Sequence, residues 1–267
     1  MPEILQYTFM QKALIVGLLI GILCPAIGTF LVLRRFSMVG DTLAHVSLAG
    51  VLLGIIWDIS PIPLALFLSA LVSFFLEKLR SIYKNYAELS LALVMSAGLG
   101  LSVVLIGFTK TSDTTISGLL FGSIITLTNQ DIWLIIFLSL LSLFLLFSFY
   151  REFFFLTFDE EGARLAGIPI ERYNYFLLFL TAMVIAIGLR IVGALLVSSL
   201  MVVPVATSLL LSQGFKKTLL WAVFFGILSV LIGLTASFYL DLAPGGTIVL
   251  SSVLIFLLLL VIRGRGC

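Results

Sequence analysis

The chain has 267 residues, of which 61% are hydrophobic and only 10% charged, with a formal net charge of +2 and a mean hydropathy of +1.28. A soluble domain holds roughly 45–50% apolar and about 25% charged residues, so this is an integral membrane protein. Spanning helices of about 20 residues each leave loops too short for a fused ATPase, kinase or DNA-binding module, and the scattered basic residues exclude a nucleic-acid footprint.

The first long apolar run, Lys12 to Leu33, ends on Arg34 and Arg35. It is too long for the core of a cleaved signal peptide and reads as a retained span. Cys24 lies inside it, preceded by Leu23 where a lipoprotein signal needs a small residue. Cys24 and Cys267 differ too much in setting to suggest a disulfide framework or a thiolate metal site. Further runs cover about 42–57, 61–76, 89–108, 131–149, 173–189, 191–212, 218–239 and 246–262, which makes nine candidates. The weakest point is the break from Gly188 to Gly193, where one bent hairpin in place of two crossings reduces the count to eight. Residues 113–129, rich in Ser, Thr and Gly, are too broken to span; they are expected to form a short helix folded back where protein covers its backbone. Gly17 and Gly21, Gly50 and Gly54, and Gly118 and Gly122 each have the spacing that permits close helix approach. The expected fold class is all-α: a polytopic helical bundle with eight or nine transmembrane helices, forming one domain over residues 1–267.

Positive charge near span ends is retained in the cytoplasm. Placing loops 34–40, 77–88, 150–172 and 213–217 and the C-terminus inside leaves only Lys12, Lys110 and Arg190 of the 15 Lys and Arg residues outside. The N-terminus is then outside and the C-terminus inside.

Ionisable side chains at membrane depth are costly and functional by default. Of the 13 acidic residues, all but Asp41 are assigned to loops or span ends, and the sole histidine, His45, follows Asp41 by four positions. On a helix these two share a face, and carboxylate plus imidazole suits zinc or manganese. The competing reading has Asp41 capping the helix N-terminus while His45 donates a hydrogen bond to a neighbouring helix. A carrier coupled to protons or sodium usually needs several mid-membrane carboxylates or broken helices, of which this chain offers almost none. Its nearest approach to a P-loop, Gly162 and Gly167 followed by Ile168 and Pro169, lacks the Lys-Ser/Thr that touches phosphate and magnesium. ATP hydrolysis, if transport uses it at all, therefore falls to another subunit. The longest inner loop offers it a seat: acids at Asp159, Glu160 and Glu161 favour a helix N-terminus, Ala163 and Ala166 give a small-residue face, and Gly167 with Pro169 stops the helix. Without a partner the same residues read as a solvated amphipathic loop helix.

The segment from Arg34 to Val51, with Asp41-Thr42-Leu43-Ala44-His45 at its centre, closely resembles the early signature segment of the zinc/manganese permeases of binding-protein-dependent ABC importers, the ABC-3 metal permease family. Phe121-Gly122-Ser123 resembles the family's Phe-Gly element, residues 158–169 look like its coupling helix, and Arg190 to Thr207 resembles its late helix marked by Gly193 and Pro204. The resemblance runs from about residue 8 to residue 262. It implies a type II ABC importer-like permease, and it turns the reading of Asp41 and His45 towards metal ligation. It further implies a second copy of the chain completing the pore, ATP-binding cassette subunits docking at Asp159, Glu160, Ala163, Ala166 and Gly167, and an extracytoplasmic metal-binding protein delivering the ion. Some relatives carry a second histidine in the fourth span, where this chain has Val94-Met95-Ser96-Ala97-Gly98, so the ligand sphere is incomplete.

The leading expectation is a permease subunit importing divalent metal in a bacterial cytoplasmic membrane, with lipid around it. Metal is cargo, with no cofactor bound permanently. Similarity of Phe9 to Leu14 to zinc-type relatives ranks zinc ahead of manganese, with iron third. The second reading is a stand-alone metal channel or secondary carrier using Asp41 and His45 without ATP. An enzyme fares worst, since one histidine without a nucleophile and base together leaves little chemistry to assemble.

Overall fold

The computed structural model describes residues 6–83, 86–109, 113–123, 129–211 and 214–264. Twelve helices fill these residues: α1 (Thr8–Leu33), α2 (Val39–Ile56), α3 (Pro61–Ile82), α4 (Ala87–Phe108), α5 (Asp113–Phe121), α6 (Asn129–Ser148), α7 (Tyr150–Phe158), α8 (Glu160–Leu165), α9 (Ile170–Val192), α10 (Val197–Leu211), α11 (Phe215–Leu240) and α12 (Pro244–Gly264). Eight of them, α1, α2, α3, α4, α6, α9, α11 and α12, are long and apolar enough to cross a membrane. The chain is a multi-pass membrane protein.

Contacts between distant residues sort the helix ends into two sets. At one end Arg34 lies 3.8 Å from Glu160, Asn174 donates to Glu77 over 3.0 Å, and the Phe215 ring packs on Phe30 and Phe154, 5.1 Å from each. At the other, Lys12 donates to Asn129 over 2.7 Å and Arg190 reaches to 4.0 Å from Asp131. The chain leaves α9 at the second end and enters α11 at the first. The stretch 193–211 that contains α10 therefore crosses as well, although α10 has only 15 residues, about 22 Å at 1.5 Å per residue against a core about 30 Å thick. The described residues thus make nine passes, eight on long helices and one on a short helix entered through four non-helical residues. The first end carries Arg34, Arg80, Arg151, Arg164, Lys216 and Arg263, and the charge asymmetry makes it cytoplasmic. Lys84, Lys110, Arg265 and Cys267 lie outside the described residues.

Close backbone approach explains how apolar helices associate where lipid offers no hydrophobic drive. Gly50 in α2 faces α3 so closely that an added Cβ would lie 2.6 Å from the Ala65 Cα, and one on Gly21 in α1 would lie 3.2 Å from the Gly226 carbonyl of α11. Of the stretch 113–129 expected to fold back, residues 124–128 lie outside the described residues and 113–121 form the short α5, whose end is tied to the α9–α10 break: Ala194 N donates to Leu119 O over 3.0 Å, and Ser123 N to Arg190 O over 3.3 Å. Gly193 takes φ +91 there, a conformation that a residue with a Cβ adopts only under strain. α9 must end at this residue, and α10 starts afresh inside the bundle.

One loop assignment changes. Loop 77–88 is shorter than the apolar pattern suggests, because α3 continues to Ile82. Glu77 is then a helical residue only 7% exposed, which Arg80 and Asn174 make tolerable by occupying its two carboxylate oxygens.

Candidate functional site

α1 ends in a Schellman motif. Arg35 N donates to Val32 O over 3.0 Å and Phe36 N to Leu31 O over 2.7 Å, with Arg35 itself left-handed at φ +61. This reversal sends the chain into α2 within four residues. Asp41 occupies the first turn of α2 and His45 the second, so the two lie on one face, as their spacing predicts.

The capping alternative fails at Asp41. The N-cap position belongs to Met38, without a side-chain cap hydrogen bond. The Asp41 carboxylate instead accepts a hydrogen bond from the Ser198 hydroxyl of α10. His45 is 8% exposed, and its Nδ1 is buried without a hydrogen-bond partner. A buried polar atom left unpaired calls for an explanation, and a ligating role provides one that the second half of the alternative, a hydrogen bond to a neighbouring helix, does not provide for Nδ1. α4 fixes the backbone here. The Ser102 hydroxyl donates to His45 O over 3.1 Å, and Gly98 packs where a Cβ would lie 3.0 Å from the Val46 side chain.

A cavity of about 270 Å³ opens beside Asp41, lined by Ser37, Met38, Ser198, Ser199, Val202 and Val203. Its polar wall is one carboxylate and three hydroxyls, while His45 stands one turn deeper. Among the described residues no group of three or more His, Cys, Asp and Glu side chains gathers at one point. On this face of α2 the described residues thus bring together two side chains of these types, Asp41 and His45, beside the three hydroxyls of the cavity.

At the cytoplasmic end, α8 begins with an Asp159 cap, whose side chain accepts from Gly162 N over 2.7 Å. It stops at Gly167, φ +78, with Ile168 N donating back to Ala163 O over 3.0 Å. Asp159, Glu160, Ala166 and Gly167 are exposed, but Ala163 is fully buried against Leu156 and Ile170. Ala163 thus seats the helix on the bundle, and its small side chain faces away from any partner. The outward residue that sequence reasoning missed is Leu165, 90% exposed. Glu160 also reaches Arg34, whose guanidinium lies 4.9 Å from the Phe36 ring centre, with Arg80 at 3.7 Å from the same ring. Burial pushes the Arg34 pKa down, and Glu160 acts against that shift. Through this cluster α8 touches the turn that launches α2.

The model of the ABC 3 transport family matches residues 6–263. The chain belongs to that family. It is 40% identical over 262 residues, 98% of each chain, to a Treponema pallidum protein named "Probable metal transport system membrane protein". It is 33% identical to the Listeria monocytogenes "Manganese transport system membrane protein MntC", covering 95% of this chain and 90% of that one. It is 29% identical to the Haemophilus influenzae "High-affinity zinc uptake system membrane protein ZnuB", covering 97% and 100%. The solved structure of PsaBC from Streptococcus pneumoniae in complex with Fab superimposes with a TM-score of 0.86 at 27% identity, over 96% of this chain and 92% of that one.

Proposed function

We propose that this chain is the membrane-spanning permease subunit of a bacterial importer that takes up divalent metal, powered by ATP hydrolysed on a separate cytoplasmic subunit. The observation that carries the reading is the juxtaposition on α2 of a carboxylate and a buried, unpaired imidazole nitrogen, within a member of the ABC 3 transport family. Two protein ligands per copy replace part of the ion's hydration shell without trapping it. A second copy facing the same path and an extracytoplasmic binding protein complete the assembly, and α8 with the exposed Leu165 is the seat of the ATPase. Relatives named for manganese and for zinc support both ions as cargo. The oxygen-rich wall at Asp41 supports manganese ahead of zinc, because carboxylate, hydroxyl and water suit the harder ion. This reverses the order that the opening segment alone suggests. A stand-alone carrier has less support, since α8 is a capped, exposed helix with an apolar residue held outward, a feature that a carrier without a partner does not need.

The test is uptake of radiolabelled manganese and zinc by cells producing the permease with its ATPase and binding protein. Wild type is expected to accumulate metal, and replacement of the ATPase's catalytic carboxylate to stop it. Uptake that persists with the inactive ATPase contradicts the importer and restores the carrier.

A further inference from the structure

Buried hydroxyls on the helices of this protein mostly fold back on their own backbone: Thr29 donates to Pro25 O, Ser69 to Ala65 O, Thr181 to Leu177 O and Ser229 to Phe225 O, each at 2.7–2.8 Å. This is the ordinary habit of Ser and Thr in apolar helices. Ser198 departs from it. Only 4% exposed, it reaches from the first turn of α10 across to a carboxylate on the first turn of α2. Two local features bring it there. The break at Gly193 lets α10 begin inside the bundle, and Gly40, next to Asp41, leaves so little room that a Cβ would stand 3.3 Å from the Ser198 Cβ. The first turns of both helices thus meet at Asp41.

We propose that Ser198 is a positioning residue for the cargo ion and a determinant of metal preference; this rests on the assignment of Asp41 to the metal path. A hydroxyl has one proton to give, and here Asp41 Oδ1 receives it. The bond fixes which way the Asp41 carboxylate faces the cavity, through which an ion would approach its oxygens. The cavity that Ser198 lines holds about 270 Å³, several times the roughly 30 Å³ that a water takes in the liquid. It accommodates an ion that keeps part of its water shell. A hard ion that retains waters and takes oxygen donors is the chemical class this wall fits, and a borderline-soft ion that prefers nitrogen and sulfur is the class it disfavours. Replacing the Ser198 oxygen by sulfur alters that balance with little change of shape.

The test uses the full importer, with metal uptake measured across concentrations for manganese and zinc and assembly checked by co-purification with the ATPase. Ser198→Ala should raise the KM for manganese by about tenfold, the scale of one charge-assisted hydrogen bond, while Ser198→Thr keeps it within about twofold of wild type. Ser198→Cys should shift the manganese-to-zinc ratio of kcat/KM towards zinc by several-fold and sharpen inhibition by cadmium, a result that a merely structural serine would not produce. Asp41→Asn separates the two levels of the account. If Asp41→Asn blocks uptake while the Ser198→Ala KM and the Ser198→Cys metal ratio stay at wild-type values, the positioning role is overturned and the metal path stands. If Asp41→Asn transports normally, the metal path itself is wrong and the role of Ser198 falls with it. Should Ser198→Ala fail to assemble, the metal ratio of the near-isosteric Ser198→Cys variant decides alone.

Discussion

At the scale of single residues, the chemistry that stood out in the sequence was the chemistry that apolar surroundings make expensive. Asp41 and His45 were legible because an ionisable pair leading into an apolar run has few uses. Glu77 belongs to the same class, but it sits where the apolar run fades and reads as the start of a loop. Its helical, buried position became visible only with its partners Arg80 and Asn174. Ser198 was not legible at all, because serine is common in membrane helices and nothing in its neighbours points across to Asp41. Two outcomes follow for these residues. Glu77→Ala strands the Arg80 guanidinium, 12% exposed, without its carboxylate, and should destabilise the solubilised protein by about 3 kcal/mol. Glu77→Gln keeps the shape and one hydrogen-bond acceptor and should lose less; thermal unfolding in detergent ranks the two, and equal losses contradict the ion-pair account. Asp41→Ala, which removes the Ser198 acceptor as well as the carboxylate, should reduce metal uptake to background while leaving co-purification with the ATPase intact.

At the scale of elements, helix stops were easier to read than helix faces. Gly167 ends α8 where the sequence places the stop, whereas Gly193 ends α9 at the far edge of the break read from Gly188 to Gly193, so that α9 runs on to Val192 and α10 starts only at Val197. The face of α8 does not, since its six residues make fewer than two turns and leave no periodicity to follow. Asp159, Glu160, Ala166 and Gly167 remain exposed candidates for docking, whereas Ala163 supports the helix from beneath. The two roles separate by mutation. Leu165→Ala removes an exposed apolar side chain and should weaken ATPase co-purification by tenfold or more, with the permease's melting temperature unchanged. Ala163→Leu overfills the contact with Leu156 and Ile170 and should lower that melting temperature, at the 1–3 kcal/mol typical of overpacking. A normal melting temperature for Ala163→Leu, or full co-purification for Leu165→Ala, contradicts this division.

At the scale of the whole molecule, the direction of the passes follows from basic residues gathered at one end, and that pattern is written in the sequence as plainly as the eight long spans. What the sequence left open was the path between Gly193 and Phe215. The answer depends on long-range contacts: residues 119–123 hold the start of this path at one end, and the ring of Phe215 among Phe30, Tyr150, Phe154 and Phe158 holds its finish at the other. Cysteine placed singly at position 165 should stay protected from an impermeant thiol reagent in intact cells, and cysteine at position 57, on the opposite side, should react. The reverse pattern inverts the topology. The Arg34, Phe36 and Arg80 cluster joins α8 to the turn before α2, so the proposed ATPase seat and the proposed metal path meet through one short stretch of chain.

The proposed path of the ion runs along the face of α2 that bears Asp41 and His45. Uptake of radiolabelled manganese by His45→Ala, in cells where the variant is expressed and assembled with its ATPase at wild-type levels, tests it most directly. Uptake should fall to that of cells lacking the permease; wild-type uptake by the assembled variant would take this face of α2 out of the ion's path.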